Sequence, residues 1–219
     1  RARRVVAPPG AIDTCGTGGD GAETINISTA SALVAAAGGV PVAKHGNRSV
    51  SSKGGSADVL EALGVRLDLG RDALAQLLDE VGIAFLFAQQ LHPAMAAVVP
   101  VRKALGVRTV FNLLGPLTNP AGVKRQVLGV WGPGVQPLIA AALAELGAER
   151  ALVVHSDDGL DELSVQAPTT VIEVRDGEVV ETWSLDPADL GIRVADPDAL
   201  RGGDVAENAR RLCAILEGR

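Results

Sequence analysis

The chain has 219 residues, which suffice for one sizeable hydrophobic core, or for one core with a small appendage. Apolar residues make up 47% of the chain but aromatic residues only 2%, so Ala, Val, Leu and Ile must build the core, as in helices packed on a buried sheet. The net charge of −6 opposes binding to nucleic acid or to an anionic membrane, and no apolar run reaches the roughly 18 residues of a membrane span, so we expect a soluble, cytoplasmic protein.

Strands alternate with helices through the first 155 residues, which indicates a largely parallel sheet covered on both faces. Apolar residues at helical spacing mark the helices, and glycines mark their ends. The predicted elements, in chain order, are a glycine-rich turn at residues 15–21, a helix capped by Ser28 or Thr29 and ending at Gly38, a strand at 40–43, a polar loop at 44–55, helices at 59–63 and 74–81, and a strand at 83–88.

The second half of the chain changes character towards its end. Residues 91–105 are helical in spite of two prolines, 110–122 form a connection with at most a short helix, and strands at 127–131 and 151–154 enclose a helix at 138–146. Residues 169–175 and 178–183 flank Asp176-Gly177, a strong signal for an antiparallel hairpin, and a helix covers 204–216. The sequence thus predicts an α/β fold with a mostly parallel central sheet and a C-terminal antiparallel hairpin.

The segment of residues 13–61 carries the strongest functional signal. The glycines of residues 16–20 allow a tight bend that brings backbone amides against a phosphate, and the helix from Ser28 directs further N–H groups the same way. Lys44, Arg48 and Lys53 then place three positive charges in ten residues without an acid. A glycine-rich turn alone could be a structural loop, but the combination indicates an anion site.

A second signal is the acidic pair Asp161 and Glu162, which follows the strand at 151–154 in a loop opened by Gly159. Adjacent carboxylates at the carboxyl end of a strand are suited to Mg²⁺. A solvated acidic turn is the alternative, because Asp157 and Asp158 lie in the same loop.

Seven segments resemble motifs of the anthranilate phosphoribosyltransferases, in the order in which the family has them. They are residues 13–20 (DTCGTGGD), 26–29 (NIST), 44–49 (KHGNRS), 51–64 (SSKGGSADVLEALG), 91–95 (LHPAM), 101–103 (VRK) and 111–120 (FNLLGPLTNP). The family usually has Ser at the position of Gly54. The resemblance implies transfer of a phosphoribosyl group from phosphoribosyl pyrophosphate to the amine of anthranilate, with Mg²⁺ as cofactor and a homodimer as the assembly.

The resemblance also implies the residues that bind the donor and the metal. Mg²⁺ would be held by Ser28, Asp161 and Glu162, and Lys44 would act in catalysis. The donor would be bound by Gly16, Thr17, Gly18, Gly19, Asp20, Thr24, Asn26, Ser28, Thr29, Lys44, Ser52 and Ser56.

On the acceptor side, Arg102 is implied as a catalytic residue that clamps the anthranilate carboxylate, a task suited to a bidentate guanidinium. Without the resemblance, Arg102 would be interpreted as an exposed charge on a helix, and the histidines as structural. The acceptor-binding residues would be Gly16, His45, Asn47, His92, Arg102 and Gly115. Trp131 is expected to serve packing only.

Family members normally begin with several helices that form much of a small helical domain and the dimer contact, and they end later than Arg219 does here. We therefore expect an α/β catalytic domain at residues 1–89 and 119–219, and a remnant of the small domain at 90–118. Leu91, Met95, Val98 and Leu113 would then be exposed or repacked.

Three other interpretations stay open at this point. The chain could be an inactive fragment that binds only the donor. It could be a pyrimidine nucleoside phosphorylase, which shares the broad architecture, although the loop at residues 15–21 differs from that family's. It could also be a non-catalytic homologue that binds nucleic acid, which the negative charge opposes.

Overall fold

The computed structural model describes residues 2–48, 54–192 and 196–219. One sheet of seven strands runs through it in the order β3-β2-β1-β4-β5-β6-β7. The strands are β1 Ile12–Gly16, β2 Val42–Gly46, β3 Ile83–Phe87, β4 Arg125–Gly129, β5 Arg150–Ser156, β6 Thr169–Arg175 and β7 Glu178–Leu185. The first five pair in parallel and the last two antiparallel, which confirms the predicted fold class.

Eight α-helices accompany the sheet in the described part of the chain, with short 3-10 turns at Pro93–Ala97, Pro187–Leu190 and Pro197–Leu200. The helices are α1 Ile27–Ala37, α2 Ser56–Ala62, α3 Arg71–Glu80, α4 Ala88–Leu91, α5 Val99–Leu105, α6 Phe111–Leu117, α7 Gln136–Glu145 and α8 Val205–Leu216. Within the described residues, every helix is too short or too polar to cross a membrane.

Aliphatic side chains on both faces of the sheet form the core, as the composition predicts. On one face, α3 packs on β2 and β3, with Leu74, Leu78 and Leu86 buried between them. A second cluster joins α7 to β4, β5 and β6. Helices α1, α2 and α8 form a third cluster around Val59 and Leu212. The sheet is therefore covered on both sides, so its strand ends are the places where polar side chains can converge.

Strand β2 lies further along the chain than the sequence predicts. Gly39 has a φ of 87° and Val40 is exposed, so the turn after α1 extends to Pro41. The strand begins at Val42, which pairs with Ile83 of β3. Lys44 and His45 are therefore buried strand residues and not part of a polar loop, as the prediction had it.

The predicted cap of α1 is also wrong. The helix begins at Ile27 after Asn26, and the side chain of Asn26 makes no capping hydrogen bond. Ser28 lies inside the first turn, where its amide donates to Glu162 Oε1 at 3.2 Å. A carboxylate from a loop 134 residues away thus does what a local cap does in most helices.

The segment after β3 is divided by its prolines into α4, a 3-10 turn and α5. Leu91 is buried among β2, β3 and α3 rather than exposed, and Leu113 packs against the cluster around α7. Other apolar residues of this segment are exposed by more than half, namely Val101, Leu105, Val107 and Val110. Its assignment to a separate domain stays a prediction.

Candidate active site

The carboxyl ends of the parallel strands β1, β2, β4 and β5 lie at one edge of the sheet, where open α/β sheets bind their ligands. The glycine-rich turn follows β1, Lys44 and His45 lie in β2, and the loop with Asp161 and Glu162 follows β5. The topology therefore brings together three segments that are far apart in sequence.

Residues 17–21 turn back over this edge. Gly18, Gly19 and Gly21 have φ values of 63°, 80° and 79°, a region that L-residues with side chains rarely adopt. The amide of Gly18 donates to Asp161 Oδ2 at 2.7 Å, and the amide of Asp161 donates to Asp20 Oδ2 at 3.4 Å. The turn and the acidic loop therefore hold each other through two hydrogen bonds.

The amides of the turn are less open to a ligand than the sequence predicts. The Thr17 amide donates to the carbonyl of Gly129 at 2.9 Å and so extends the sheet. The Gly18 amide faces the site, but Asp161 occupies it.

Lys44 is only 3% exposed and reaches across β1 to the start of α1. Its Nζ donates to the carbonyl of Thr14 at 2.6 Å and to the hydroxyl of Ser28 at 3.3 Å. Asp13, fully buried beside it, accepts from the His45 amide and from Asn119 Nδ2. Burial raises the pKa of Asp13, and the Lys44 charge opposes that rise. The two side chains thus compensate each other in the interior.

The acidic pair lies in an environment that disfavours its charge. Burial raises the pKa of Asp161 to about 7, and the nearby Asp20 carboxylate adds to the rise. Burial and the charge of Asp161 raise the pKa of Glu162 to about 8, against the lowering effect of Lys44. Without a further positive charge, both carboxylates cannot ionise freely at neutral pH. A cation at this position would remove that cost.

Two glycines leave the room that the acidic loop needs. A Cβ atom on Gly16 would lie 2.6 Å from Asp161 Oδ2, and one on Gly129 would lie 1.5 Å from the Asp161 carbonyl oxygen. These residues pair with each other in the centre of the sheet. Only glycine at both positions lets the loop descend onto the strand ends.

Ser156, Asp158 and Ser164 shape the loop itself. Both hydroxyls donate to the Asp158 carboxylate, and the amide of Leu160 donates to Ser156 Oγ. Burial would raise the pKa of Asp158, but the hydrogen bonds that its carboxylate accepts from the two hydroxyls lower the pKa below its ordinary value. Asp158 is thus a structural acid of this loop, which the sequence alone could not separate from the acidic pair.

The other residues predicted to bind phosphoribosyl pyrophosphate make a variety of contacts. Asn26 Nδ2 donates to the carbonyl of Gly54, while Asn26 Oδ1 and Thr29 Oγ1 are buried without a partner among the described residues. Thr24 forms an isolated bridge with Arg201, and the Ser56 hydroxyl donates to the Asn47 carbonyl at 3.3 Å. Ser52 lies outside the described residues, as does Lys53.

Arg48 is not the free cation that the sequence suggests. Its guanidinium forms ion pairs with Asp58 at 2.7 Å and Glu61 at 2.8 Å, and it lies over the ring of Phe87. These acids belong to α2, beyond the loop in which the sequence shows no acid. The local excess of positive charge is therefore smaller than the sequence implies, while the charge of Lys44 does act on Glu162.

Of the predicted acceptor-binding residues, the structure brings together His45, His92 and Gly115. His45 Nδ1 lies 3.1 Å from the Gly115 carbonyl, which can only accept, so the proton is on Nδ1. The two imidazole rings are 5.1 Å apart, and both Nε2 atoms are buried without a partner among the described residues. Burial lowers the pKa of His45 to about 4 and also lowers that of His92, so both rings are neutral at pH 7.

Arg102 and Asn47 are less closely connected to this group. Arg102, on α5, lies over the ring of Phe111 at 6.0 Å, and Asn47 Oδ1 accepts from Gln89 Nε2 at 3.2 Å. Among the described residues, Arg102 has no hydrogen bond from its side chain to another predicted acceptor residue. Its role stays a prediction.

Arg108 and Trp131 contact the glycine-rich turn, although no motif in the sequence singles out Arg108. The guanidinium of Arg108 lies 4.9 Å from the centre of the Trp131 ring and donates to the Gly19 carbonyl. The Trp131 amide donates to Thr17 Oγ1 at 3.2 Å. Only the three-dimensional structure brings these segments together.

Comparison with known proteins places this chain in a family. A family model described as "Glycosyl transferase family, a/b domain" matches residues 8–219. Anthranilate phosphoribosyltransferase from Thermomicrobium roseum is 59% identical over 209 residues, which are 94% of this chain and 60% of that protein. The chain thus spans about three fifths of the length of this curated relative.

Solved structures agree with this similarity. Anthranilate phosphoribosyltransferase from Thermus thermophilus superposes with a TM-score of 0.91 at 51% identity, covering 99% of this chain and 64% of that one. The enzyme from Saccharomyces cerevisiae in complex with PRPP and Mg gives 0.88 at 33% identity, covering 97% and 58%. Its complex with 4-fluoroanthranilate gives 0.85 at 32%, covering 96% and 57%. The chain is therefore a member of the glycosyl transferase family, of which it carries the α/β domain.

Proposed function

We propose that this chain provides the catalytic domain of an anthranilate phosphoribosyltransferase of tryptophan biosynthesis. The observation that carries the proposal is the convergence of Lys44, Ser28 and the amide of Gly18 with Asp161 and Glu162 at one edge of the sheet. Cations, hydroxyls and amides beside a carboxylate pair suit a diphosphate bound with a metal ion. The names of the relatives support this chemistry and give no support to a nucleoside phosphorylase.

The donor set fits Mg²⁺. No group of three or more His, Cys, Asp or Glu side chains that could hold a metal occurs among the described residues. Mg²⁺ is commonly bound by one or two carboxylates, with water and substrate phosphates completing the coordination. Asp161 and Glu162, with the Ser28 hydroxyl beside them, match that pattern. The bound ion would screen the negative charge of the diphosphate.

In the proposed reaction, the bond between the ribose carbon and the pyrophosphate oxygen breaks as the anthranilate nitrogen bonds to that carbon. The electron pair of the broken bond leaves with pyrophosphate, and the extra proton on nitrogen goes to solvent. Lys44 and the Gly18 amide stabilise the charge that develops on the leaving group. The Gly18 amide becomes available to the leaving group once Asp161 no longer accepts from it.

Arg102 binds the acceptor carboxylate in this proposal, while the unpartnered Nε2 atoms of His45 and His92 face the acceptor. We assign no general base, because a His45 with its pKa lowered to about 4 is a weak proton acceptor. The homodimer, the cytoplasmic location and the absence of nucleic acid and membrane partners stay predictions.

The proposal is tested by replacing Asp161 and Glu162 with alanine and measuring anthranilate consumption by fluorescence across a Mg²⁺ titration. We expect turnover to fall by about 100-fold or more, since metal ions contribute several kcal/mol to such transition states. Asp157→Ala, in the same loop, is the matched control and should retain activity.

Unchanged turnover and metal dependence in the double variant would remove the pair from the mechanism. Isothermal titration with phosphoribosyl pyrophosphate and Mg²⁺ should accompany the assay. Donor binding without turnover in the unchanged chain would favour the donor-binding fragment instead.

A further inference from the structure

The glycine-rich turn does not by itself favour a single backbone conformation. Gly18, Gly19 and Gly21 all have positive φ values, and glycine adopts other backbone conformations about as easily. Ordering such a turn therefore costs more conformational entropy than ordering a turn of other residues. Contacts from outside must fix it in one conformation.

Two residues outside the turn, Trp131 and Arg108, support it at two points. The backbone of Trp131, just after β4, donates to Thr17 Oγ1, and the ring of Trp131 lies beneath the guanidinium of Arg108. Arg108 in turn donates to the Gly19 carbonyl, and its Nε lies 3.6 Å from where a Gly19 Cβ would be. The turn is thus held on both sides of Gly18.

We propose that Arg108, stacked on Trp131, is a positioning residue that holds the glycine-rich turn in the conformation that binds the donor diphosphate. This inference rests on the proposed function of the turn. The peptide bonds of the described chain are trans, so fixing the Gly19 carbonyl also fixes the opposite direction of the Asp20 amide. Asp20 is the residue whose carboxylate accepts from the Asp161 amide, so the effect reaches the acidic loop.

Arg108 also connects the two halves of the site. It lies in the connection between α5 and α6, next to the segment that carries Arg102 and Gly115. Helix α6 is anchored to the sheet by the contact between Gly115 and His45 and by the packing of Leu113. Arg108 therefore contacts the glycine-rich turn from a segment that is anchored near the predicted acceptor-binding residues.

The chemistry of the contact favours arginine. A guanidinium can stack its planar face on an indole and donate through its edge at the same time, whereas a lysine ammonium is a compact point charge without a planar face to stack. Arg108 is exposed and contributes nothing to the hydrophobic core. Its replacement should consequently change the turn without unfolding the protein.

The first experiment is hydrogen–deuterium exchange on the ligand-free chain, which needs no substrate. Arg108→Gln should accelerate exchange in peptides that cover residues 17–22 by about tenfold, since a charged hydrogen bond and a cation–π contact are lost. Arg125→Gln is the matched control, because Arg125 lies at the opposite end of β4 and pairs with Glu149 on the surface. It should leave exchange in the turn unchanged.

The second experiment measures the affinity of the chain for phosphoribosyl pyrophosphate. Isothermal titration with phosphoribosyl pyrophosphate and Mg²⁺ should show about tenfold weaker binding for Arg108→Gln than for Arg125→Gln. Arg108→Lys should restore only part of the loss. In a Trp183→Phe background, Trp131 is the remaining tryptophan, so its fluorescence should report both the Arg108 substitutions and donor binding.

The outcomes separate this inference from the proposed function. Equal exchange in the turn of the Arg108→Gln and Arg125→Gln variants would overturn the positioning role, whatever the substrate results are. Equal donor affinity in the two variants would overturn it as well. If the unchanged chain binds no donor while exchange still responds to Arg108→Gln, the proposed function fails and Arg108 keeps only a structural contact.

Discussion

At the scale of single residues, the carboxylates of Asp161 and Glu162 occupy donors that a bound anion would need. They accept from the amides of Gly18 and Ser28 at 2.7 and 3.2 Å. The diphosphate that we propose as ligand would require the same amides. A cation that draws the carboxylates towards itself would free these amides. It would also offset the repulsion between the two carboxylates.

This competition predicts how stability depends on pH. The pKa of Glu162 in the folded chain, about 8, lies above its ordinary value of 4.5, so the unfolded chain releases this proton first. Stability without metal should therefore fall as pH rises from about 4.5 to about 8. Glu162→Gln should raise the unfolding midpoint at pH 8.5 by about 4 °C or more and change it little at pH 5, if each kcal/mol corresponds to ~2–4 °C.

Thermal unfolding with and without Mg²⁺ measures this effect. Mg²⁺ should stabilise the unchanged protein more at pH 8.5 than at pH 5, and should stabilise the Glu162→Gln variant less. Asp157→Asn removes an exposed acid of the same loop and serves as the control. A midpoint that responds equally to both substitutions would contradict the special position of Glu162.

Residue types and their spacing indicated where the site lies but not how its charges are arranged. Lys44 could be selected from sequence, because it is one of three cations in a stretch of ten residues without an acid and belongs to a segment that resembles a family motif. Its burial could not, since that depends on β2 lying between β1 and β3. The sequence overestimates the positive charge that Arg48 offers to an anion, because its partners Asp58 and Glu61 become neighbours only through the packing of α2.

At the scale of elements, the acidic loop depends on glycines in two neighbouring strands. The Asp161 carbonyl lies where a side chain on Gly129 would be, and Gly16 leaves room for the Asp161 carboxylate. Strands β1 and β4 are buried in the centre of the sheet, so they cannot move aside without breaking their pairing.

Gly129→Ala should therefore displace the loop. The new methyl group would lie 1.5 Å from a backbone oxygen, so the loop must shift, and overpacking of this kind costs about 1–3 kcal/mol of stability. We expect Mg²⁺-dependent turnover to fall more than stability does, because the carboxylates move away from Lys44 and Ser28. Denaturant unfolding and the anthranilate assay measure the two effects.

Gly134→Ala provides the comparison, since a Cβ atom there meets no heavy atom within 4 Å and the backbone needs no positive φ. It should leave stability and turnover unchanged. If Gly129→Ala behaved in the same way, the close approach of loop and strand would not matter for function.

The elements themselves could largely be predicted from the sequence. The strands β3, β5 and β6 and the hairpin turn at Asp176-Gly177 agree with their apolar runs and turn residues, because local pattern and tertiary packing favour the same structure. The predicted bounds of β2 were wrong, because rules based on polarity assign a lysine and a histidine to a loop even where both are buried in a strand. The cap of α1 was wrong for a similar reason: its partner is Glu162, far along the chain.

At the scale of the whole molecule, the function that we propose assigns the two substrates to differently supported parts of the chain. The donor side is built on strands inside the core. Arg102 belongs to the segment of α5 and α6, where Val101, Leu105, Val107 and Val110 are exposed. The fold class could be derived from the alternation of elements, but the convergence of these two parts could not.

Arg102→Ala tests whether the two sides are separable. We expect the apparent KM for anthranilate to rise about tenfold or more, since a charged bidentate hydrogen bond is lost, while the Kd for phosphoribosyl pyrophosphate stays the same. Steady-state kinetics and isothermal titration give the two constants. An equal loss for both substrates would indicate a disturbed fold rather than a specific contact.

The bridge between Thr24 and Arg201 extends the site towards the end of the chain. Ile25 and Gly202 donate to the carbonyls of Leu200 and Glu23, so the path from the glycine-rich turn into α1 is held by residues almost 180 positions later. A ribosome releases residues 13–46 early, at roughly 5–20 residues per second. Their partners in β4, in the acidic loop and around Leu200 emerge many seconds afterwards, so during translation the glycine-rich turn and the start of α1 lack their supporting contacts until residues 200–202 have been made.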